Sequence, residues 1–397
     1  MRYILLSVLL FNISFAEDKR FFTEVNAVIE TGIRYVSSFV PAVVEPHEKS
    51  KTMVDDAQGY LSTKVKVVGA YADDTLTDWF VSAPECNSTK EDYNATLCEA
   101  FKKKEEQEYQ DKENDLVTDE IDSFFLDKRY LDSTNKSYIK IELSGRYSTM
   151  QAFEPKMNFT ARIDLSQSQE MSQKKFQLFV DNLNDDNVNK VGDGVESGIS
   201  KKETKQSVGI QYFSPTKFGI ETKTQLGLHG TNIFTGLRLN RAFNTSLFKI
   251  DLIEDARYET DSGFEEKTEL YVDHALNKRT LTRIYLNRFT VRDTAGTSYT
   301  AALRYFFNPD KFSGFSMAAE LNGNTKFKKN YNDTTLNLNS QEHNSIYNYT
   351  VATSLRQNFY RKWLFYQLSP AIGWNENNNF QAEYIINILF DFYFGDI

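Results

Sequence analysis

From residue 137 to the C-terminus the sequence alternates apolar and polar side chains with a period of two, and this pattern limits the fold more than any other feature. The first such segment carries Ile139, Ile141 and Leu143 on one face, with Lys140 and Glu142 between them. Successive side chains of a β-strand point to opposite faces of the sheet. The pattern therefore predicts strands with one apolar face and one charged face.

Counting the alternation gives fourteen candidate strands, with twelve as the alternative number. The predicted strands cover 139–147, 157–165, 176–180, 208–212, 218–228, 231–241, 246–259, 263–275, 278–292, 296–307, 313–324, 344–357, 361–374 and 380–394. We predict an all-β fold, a transmembrane antiparallel up-and-down β-barrel, preceded by a partly helical segment. In such a barrel the apolar face contacts lipid and the polar face lines the lumen.

The composition is compatible with this fold. A mean hydropathy of -0.51 and 25% charged residues are typical of a soluble chain, but alternating strands keep the average low while every second position is apolar. Aromatic residues make up 14% of the chain, enough to supply the aromatic girdles of a membrane barrel. The net charge of -9, with no basic stripe, argues against nucleic acid as a partner.

The lengths of the connections support the barrel over a β-sandwich with the same number of strands. The predicted connections at one end are short: 214–216, 242–245, 277, 308–310 and 359–360. The connections at the other end include 184–204, 325–343 and 375–379, so both of the longest loops lie there, and 166–172 is the only middling turn at the first end. Bacterial barrels have short periplasmic turns and longer external loops, so both termini are expected on the periplasmic side.

The N-terminus predicts export. Arg2 precedes a short apolar run at 4–11, and Ser14 and Ala16 form a small-x-small cleavage site. The apolar run is too short for a spanning helix, so we expect a signal peptide at 1–16 and a mature chain from Glu17. The expected location is the outer membrane of a Gram-negative bacterium.

Residues 17–136 are predicted to be a periplasmic segment, partly helical and partly disordered, with the barrel at 137–397. Apolar residues at helical spacing predict one helix at 22–39 and a second from about 54 to 70. The charged stretch 101–120 is interpreted as a solvated helix or a disordered linker. The apolar cluster in 121–130 is expected to pack against the periplasmic rim or the mouth of the lumen, and a specific partner site is the alternative.

Two cysteines, Cys86 and Cys98, lie in a polar part of this segment. An oxidising compartment would allow them to form a disulfide that closes a small loop. A metal site is not expected, because no histidine lies near them in sequence and two thiolates rarely complete a coordination sphere.

The last strand carries the residues on which a family resemblance rests. Its alternate positions are Ala382, Tyr384, Ile386, Ile388, Phe390, Phe392 and Phe394. This segment resembles the final strand of bacterial outer-membrane barrel proteins, and the resemblance implies recognition by the barrel-insertion machinery. The chain departs from the family pattern by continuing through Gly395, Asp396 and Ile397.

A second resemblance covers the stretch before the barrel. Residues 122–125, together with Arg129 and Tyr130, are similar to segments that precede the barrel in proteobacterial outer-membrane proteins. That family implies no activity. The implied partners are outer-membrane lipid, the insertion machinery and periplasmic envelope components.

No catalytic arrangement is recognisable, and we predict that the chain is not an enzyme and needs no cofactor. The four histidines are His47, His229, His274 and His343. His229 and His343 are expected in external loops and His274 on the apolar face of its strand, where a general base would be useless. None is followed by the Ser-Asn pair of the barrel phospholipases.

A barrel of fourteen strands would enclose a lumen wider than side chains alone fill. The candidate lumen-lining residues are Lys140, Arg146, Arg162, Glu221, Lys223, Arg238, Lys249, Glu269, Arg304, Glu320 and Arg356. We expect a porin-like passive channel for small solutes, gated or plugged by the N-terminal segment. The alternative is a non-conducting structural or envelope-assembly protein anchored by a closed barrel.

Overall fold

The computed structural model describes residues 53–80, 113–125, 137–165, 175–182, 206–217, 219–245, 247–261, 263–291, 294–329, 343–359 and 361–395. All of these belong to one compact unit, Pro46–Ile397. The predicted signal peptide, the predicted helix at 22–39, Cys86, Cys98 and the predicted loop 184–204 lie outside the described residues, as does most of 325–343. No helix among the described residues is both long enough and apolar enough to span a membrane.

Among the described residues two helices precede the strands: α1 is Met53–Phe80 and α2 is Glu113–Phe125. The strands are β1 Tyr138–Ser148, β2 Glu154–Leu165, β3 Lys175–Asn182, β4 Gln206–Lys217, β5 Ile220–His229, β6 Asn232–Asn244, β7 Lys249–Glu259, β8 Gly263–Asn277, β9 Thr280–Val291, β10 Thr294–Asp310, β11 Ser313–Lys329, β12 His343–Asn358, β13 Leu364–Asn375 and β14 Ala382–Gly395. A short 3₁₀ helix, Glu376–Asn378, joins the last two strands.

The fourteen strands form one closed ring in which each strand pairs antiparallel with its neighbours in sequence. The ring closes between β1 and β14, where Tyr138 pairs with Gly395 and Ser148 with Ile385. A closed ring leaves no strand edge with unpaired backbone groups, which is the condition for strands to lie in lipid. The predicted fold class and the predicted number of strands are confirmed.

The side chains of the barrel are distributed in the opposite way to those of a soluble protein. The outward positions of β14, at Tyr384, Ile386 and Ile388, are apolar and exposed, whereas Glu383 and Asp391 point inward and are buried. The same contrast recurs around the ring. Exposed outward residues on other strands include Leu143, Met157, Val208, Leu226, Leu228, Ile233, Leu252, Leu286, Met317, Val351 and Leu368. An apolar outer belt around a polar interior is the arrangement of a membrane barrel.

The structure corrects several predicted boundaries. The turn predicted at 214–216 lies instead near Gly219, which has a φ of +72°, because β4 continues to Lys217 through an irregularity in its pairing with β5. The second predicted helix extends ten residues beyond Ala70. The C-terminal part of the predicted solvated stretch 101–120 belongs to α2, where Val117 and Thr118 are buried.

One row of inward residues shows how glycine allows the wall to be packed tightly. Phe179, Gly209, Gly227 and Phe234 are paired in that order across β3, β4, β5 and β6. The two phenylalanine rings fold over the glycines, and their centroids lie 6.2 Å apart. A Cβ at Gly227 would lie 2.8 Å from the Phe234 ring and 2.5 Å from the Val208 carbonyl oxygen. No larger residue fits there without a shift of the backbone.

The change Gly227→Val should therefore lower the free energy of unfolding by about 1–3 kcal/mol through overpacking. The measurement is the urea midpoint of the protein refolded in detergent, followed by circular dichroism. Gly236→Ala is the matched control, because a Cβ at Gly236 would meet its nearest atom at 3.4 Å. Equal midpoints for Gly227→Val and the parent protein would contradict the close packing.

Candidate functional site: the lumen and the helix inside it

The turns that follow even-numbered strands, the start of β1 and the end of β14 all lie at one end of the barrel, which we call the terminal rim. It includes the start of β1 at Tyr138, the end of β14 at Gly395 and the turns that follow Asn244, Asn277, Asp310 and Asn358. The opposite end is called the far rim. The residues of the wall that contact α2 all lie near the terminal rim.

Helix α2 lies inside the lumen, with an apolar face packed against the wall. Val117 and Ile121 are buried in one cluster with Leu281, Phe306 and Ala318, which point inward from β9, β10 and β11. Phe125 joins this cluster, and its ring lies 5.2 Å from that of Phe306. The spacing of Val117, Ile121 and Phe125 is one helical turn, so a single face of α2 makes these contacts.

A buried ion pair fixes α2 to the wall. Arg283 is 0% exposed, and its Nη2 donates to Asp122 Oδ1 at 2.7 Å. The same guanidinium donates to both carboxylate oxygens of Asp273, from Nε at 2.7 Å and from Nη2 at 2.9 Å. Bidentate pairing of this kind gives a fixed geometry as well as energy. Asp122 therefore anchors the helix to Arg283 of β9, whose guanidinium is held in place by Asp273.

The C-terminal end of α2 reaches the other side of the terminal rim. The Phe124 ring packs edge-on against Phe365 of β13, with centroids 6.1 Å apart. Its carbonyl oxygen accepts a hydrogen bond from Arg356 Nε at 3.2 Å. A Cβ at Gly314 of β11 would lie 2.5 Å from the Phe124 ring. The predicted packing of this segment at the lumen mouth agrees with these contacts.

The contacts of α2 extend over seven consecutive strands, from β7 to β13. At the β7 end, Lys249 Nζ lies 3.6 Å from Asp119 Oδ1. A barrel of fourteen strands has a backbone diameter of about 28 Å, of which side chains on both walls occupy about 10 Å. A helix with its side chains is about 10–12 Å wide. Helix α2 is therefore wide enough to occupy more than half of the remaining width near the terminal rim.

A chain of buried charges joins the closing strands of the ring. Arg356 Nη2 lies 2.7 Å from Asp391 Oδ2, and Asp391 Oδ1 lies 3.6 Å from Lys140 Nζ. Lys140 Nζ is in turn 2.6 Å from Glu142 Oε2, and Glu142 accepts a hydrogen bond from Asn158. The charges alternate in sign along the chain, so Lys140 lies between two carboxylates and Asp391 between two cations.

All eleven predicted lumen-lining residues lie in inward rows of their strands. Those buried are Lys140, Arg162, Lys223, Arg238, Glu269, Arg304 and Arg356. Arg304 and Glu320 approach to 3.7 Å, and Arg146 and Glu383 to 3.4 Å. Glu221 is exposed and accepts a hydrogen bond from Asn240. That these residues line a conducting path stays a prediction.

Asp122, Asp273 and Arg283, which form the buried ion pair, were not among the predicted site residues. Arg283 lies in the polar row of the predicted strand 278–292 and Asp273 in that of 263–275, so alternation could have placed both in the lumen. Nothing in the alternation indicates that Asp122, more than 150 residues away in sequence, would complete the pair. That partner comes from a helix, whose position the strand pattern does not specify.

Three histidines can be placed. His343 was expected in an external loop, but it is the first residue of β12, where it pairs with Phe327 of β11. His229 was expected in an external loop, but it ends β5, is buried and has its Nδ1 2.9 Å from Glu259 Oε1. Glu259 also pairs with Arg257 at 3.0 Å. Glu259 therefore joins the end of β5 to β7 at the far rim. His274 lies in the outward row, with its ring 5.2 Å from that of Phe248. The prediction that the chain is not an enzyme stays a prediction.

Comparison with solved structures returns bacterial outer-membrane porins. The chain is similar to OccK10 (OpdN) of Pseudomonas aeruginosa, with a TM-score of 0.40 and 8% identity over 66% of this chain and 99% of that one. It is also similar to outer-membrane expressed OmpT of Vibrio cholerae, with a TM-score of 0.39 and 9% identity over 66% and 99%. The KdgM porin matches with a TM-score of 0.29 and 8% identity over 64% and 98%.

No protein-family model matches the chain, and no curated protein matches it in sequence. The porin matches, all with TM-scores below 0.5, say nothing about solute or gating here. The class of protein, a closed membrane barrel with a helix in its lumen, rests on the hydrogen-bonded ring and on the apolar outer belt.

Replacing Arg283 tests the buried pair. Arg283→Met would leave Asp122 and Asp273 buried without their cation, and should lower the free energy of unfolding by about 3–5 kcal/mol. The measurement is the denaturant midpoint of the detergent-refolded protein. Arg288→Met is the control, because the pair of Arg288 with Glu266 is exposed and should contribute less than about 1 kcal/mol. Similar losses for both variants would rule out a special role for Arg283.

Proposed function

We propose that this protein is a porin-like outer-membrane channel for small solutes, and that α2 inside the lumen keeps it closed. The observation that carries the proposal is the buried Asp122–Arg283–Asp273 arrangement, which holds a helix across the path that a solute would take. A channel is the physical expectation for fourteen strands, because the ring is wider than its own side chains fill. A plug in that space fits the burial of Arg283 and Asp273 on the part of the wall that α2 contacts.

The way α2 is held fits a removable plug. One face is bound by apolar contacts and by the buried pair of Asp122 with Arg283. Phe124 contacts Phe365 and Arg356, and the Asp119–Lys249 contact at the side involves a largely exposed carboxylate. Helix α2 is only about 20 Å long and is joined to β1 by a short connection. A helix so tethered can leave the lumen while the ring of strands stays intact.

A second function is favoured by the charge chain of Arg356, Asp391, Lys140 and Glu142. These residues tie β12, β14 and β1 together near the terminal rim and are independent of the Asp122 anchor. If such networks close the lumen by themselves, the protein is a non-conducting barrel that anchors its N-terminal segment for envelope assembly. Periplasmic envelope components would then be its partners.

The proposed location is the outer membrane of a Gram-negative bacterium, reached after cleavage of the signal peptide at 1–16. Support comes from the apolar outer belt and from strands closed into a ring, since bilayers are crossed by helices or closed barrels only. Outer-membrane lipid and the insertion machinery are the proposed partners, the latter through the outward aromatic row of β14 that ends at Phe394.

Single-channel recording in planar bilayers tests the proposal. The mature full chain should be closed for most of the time, and deletion of 113–125 should give steady conductance, because the lumen then loses its plug. Asp122→Asn should raise the open fraction, since the helix loses the charge that pairs with Arg283. Glu120→Gln is the matched control, because Glu120 is exposed on the same helix.

The two proposed functions predict different results for the deletion. Steady current after removal of 113–125 supports the channel with a plug. No current from a deletion variant that still folds as a barrel would refute the channel and leave the anchoring function. Folding is checked by circular dichroism and by the urea midpoint.

A further inference from the structure

Helix α1 lies along the terminal rim. Three contacts at intervals of seven residues fix its position: Asp55 pairs with Arg361 in the turn before β13 at 2.5 Å, and Ser62 Oγ accepts a hydrogen bond from the Gly395 nitrogen at 2.9 Å. At Gly69, an added Cβ would lie 3.3 Å from Ile163 of β2. The helix therefore passes the ends of β13, β14, β1 and β2 in turn and runs around the ring.

The contacts are made on the outside of the barrel. Ile163 belongs to the outward row of β2, and Leu165, two residues further along that row, is 0% exposed. Met157 in the same outward row, toward the far rim, is 67% exposed. Helix α1 contacts β2, β14 and β1, so it covers the outer belt at the place where that belt reaches the terminal rim.

The two flanks of the contact row differ in chemistry. Successive residues of a helix are rotated by about 100° around its axis. The residues just before the contact row of Asp55, Ser62 and Gly69 therefore form one flank, and the residues just after it form the other. The preceding flank is wholly apolar: Val54, Leu61 and Val68. The following flank consists of Asp56, Thr63 and Ala70.

The apolar flank is open, and it continues into further apolar residues. Leu61 is 42% exposed and Val68 51% exposed, and Tyr60, Val67 and Tyr71 beyond them are also exposed. Val65, which lies between the contact row and this flank, is buried. The apolar flank therefore lies beside the surface through which α1 covers the outer belt of β14, β1 and β2.

We propose that α1 is an interfacial helix whose apolar flank, Val54, Leu61 and Val68, is immersed in the membrane leaflet at the terminal rim. The proposal rests on the proposed membrane location of the barrel. Lipid is the occupant that this surface fits, because the flank adjoins the belt that lipid already covers. Tyr60 and Tyr71 suit the level of the headgroups, and Lys64 among them can extend its amine to the phosphates.

A position in the membrane interface also explains why α1 has one polar and one apolar flank. Interfacial helices have a large polar face with an apolar face buried about 5–10 Å into the boundary of headgroups and acyl chains. In α1 the polar flank with Asp56 and Thr63 then faces water. The ion pair of Asp55 with Arg361 sets the depth of the helix at its N-terminal end.

Spin labels on single cysteines test the proposal in the full mature chain, with Cys86 and Cys98 replaced by serine, reconstituted in phosphatidylcholine and phosphatidylglycerol vesicles. The measurement is accessibility to oxygen relative to a water-soluble nickel chelate. Leu61→Cys and Val68→Cys should give ratios several-fold higher than Thr63→Cys and Lys66→Cys on the same helix. Equal ratios at all four positions would overturn the proposal.

A label at Leu226→Cys separates this inference from the proposed function. Leu226 lies in the outward belt of β5 and is exposed. If position 226 is lipid-accessible while 61 and 68 contact water, the barrel is in the membrane and only the interfacial helix is refuted. If 226 itself contacts water, the membrane barrel is refuted as well.

The variant Leu61→Asp provides a second test that does not depend on labels. A charge in the interface should weaken the attachment of α1 to vesicles, so that proteolysis within 53–80 becomes several-fold faster in vesicles. Thr63→Asp is the matched control and should leave the rate unchanged. The same acceleration in both variants would contradict a membrane-facing flank.

Discussion

The closed ring of backbone hydrogen bonds is the constraint on which the rest of the structure depends. In a bilayer each unpaired backbone group costs several kcal/mol. The first and last strands, β1 and β14, must therefore pair with each other along their length. Once the ring is closed, the alternation of each strand assigns every side chain to one of two environments. The exposed apolar residues of the outer belt and the buried charges of the lumen are both consequences of that single closure.

The interior shows how a polar lumen is filled near the terminal rim. Charges there are paired along the wall, as in the chain from Arg356 to Glu142, and the remaining space is occupied by α2. Arg283 takes part in both, since it pairs with Asp273 of the wall and with Asp122 of the helix. Aromatic rings such as Phe306 lie beside this cation, so the anchor combines ionic, hydrogen-bonding and apolar contacts.

Most of the barrel could be predicted from sequence, because a period of two is a local signal that survives in every strand. The alternation around Lys140 and around Arg356 gave their inward orientation directly. The turn near Gly219 was predicted too early, at 214–216, because β4 continues to Lys217 through an irregular pairing with β5 that the alternation does not indicate. The position of His229 was missed because alternation fades at strand ends, where a partner such as Glu259 decides burial.

The site was harder to predict than the wall. The charged stretch before residue 121 suggested solvent, yet Val117 and Thr118 are buried. A helix that packs inside a barrel needs only a narrow apolar face, and its partners are distant in sequence. Spacing within 113–125 can indicate such a face, but it cannot identify Leu281 or Arg283 as what lies opposite.

The path of α1 has a consequence for the order of assembly. Its Ser62 accepts a hydrogen bond from Gly395, and a Cβ added at Gly69 would lie 3.8 Å from Ser137 Oγ, so α1 lies across the seam between the last strand and the first. Although α1 precedes every strand in the chain, part of its binding surface is the end of the final strand, at Gly395. The complete set of its contacts can therefore form only after the ring has closed, and in the folded protein the helix covers the junction between the last strand and the first.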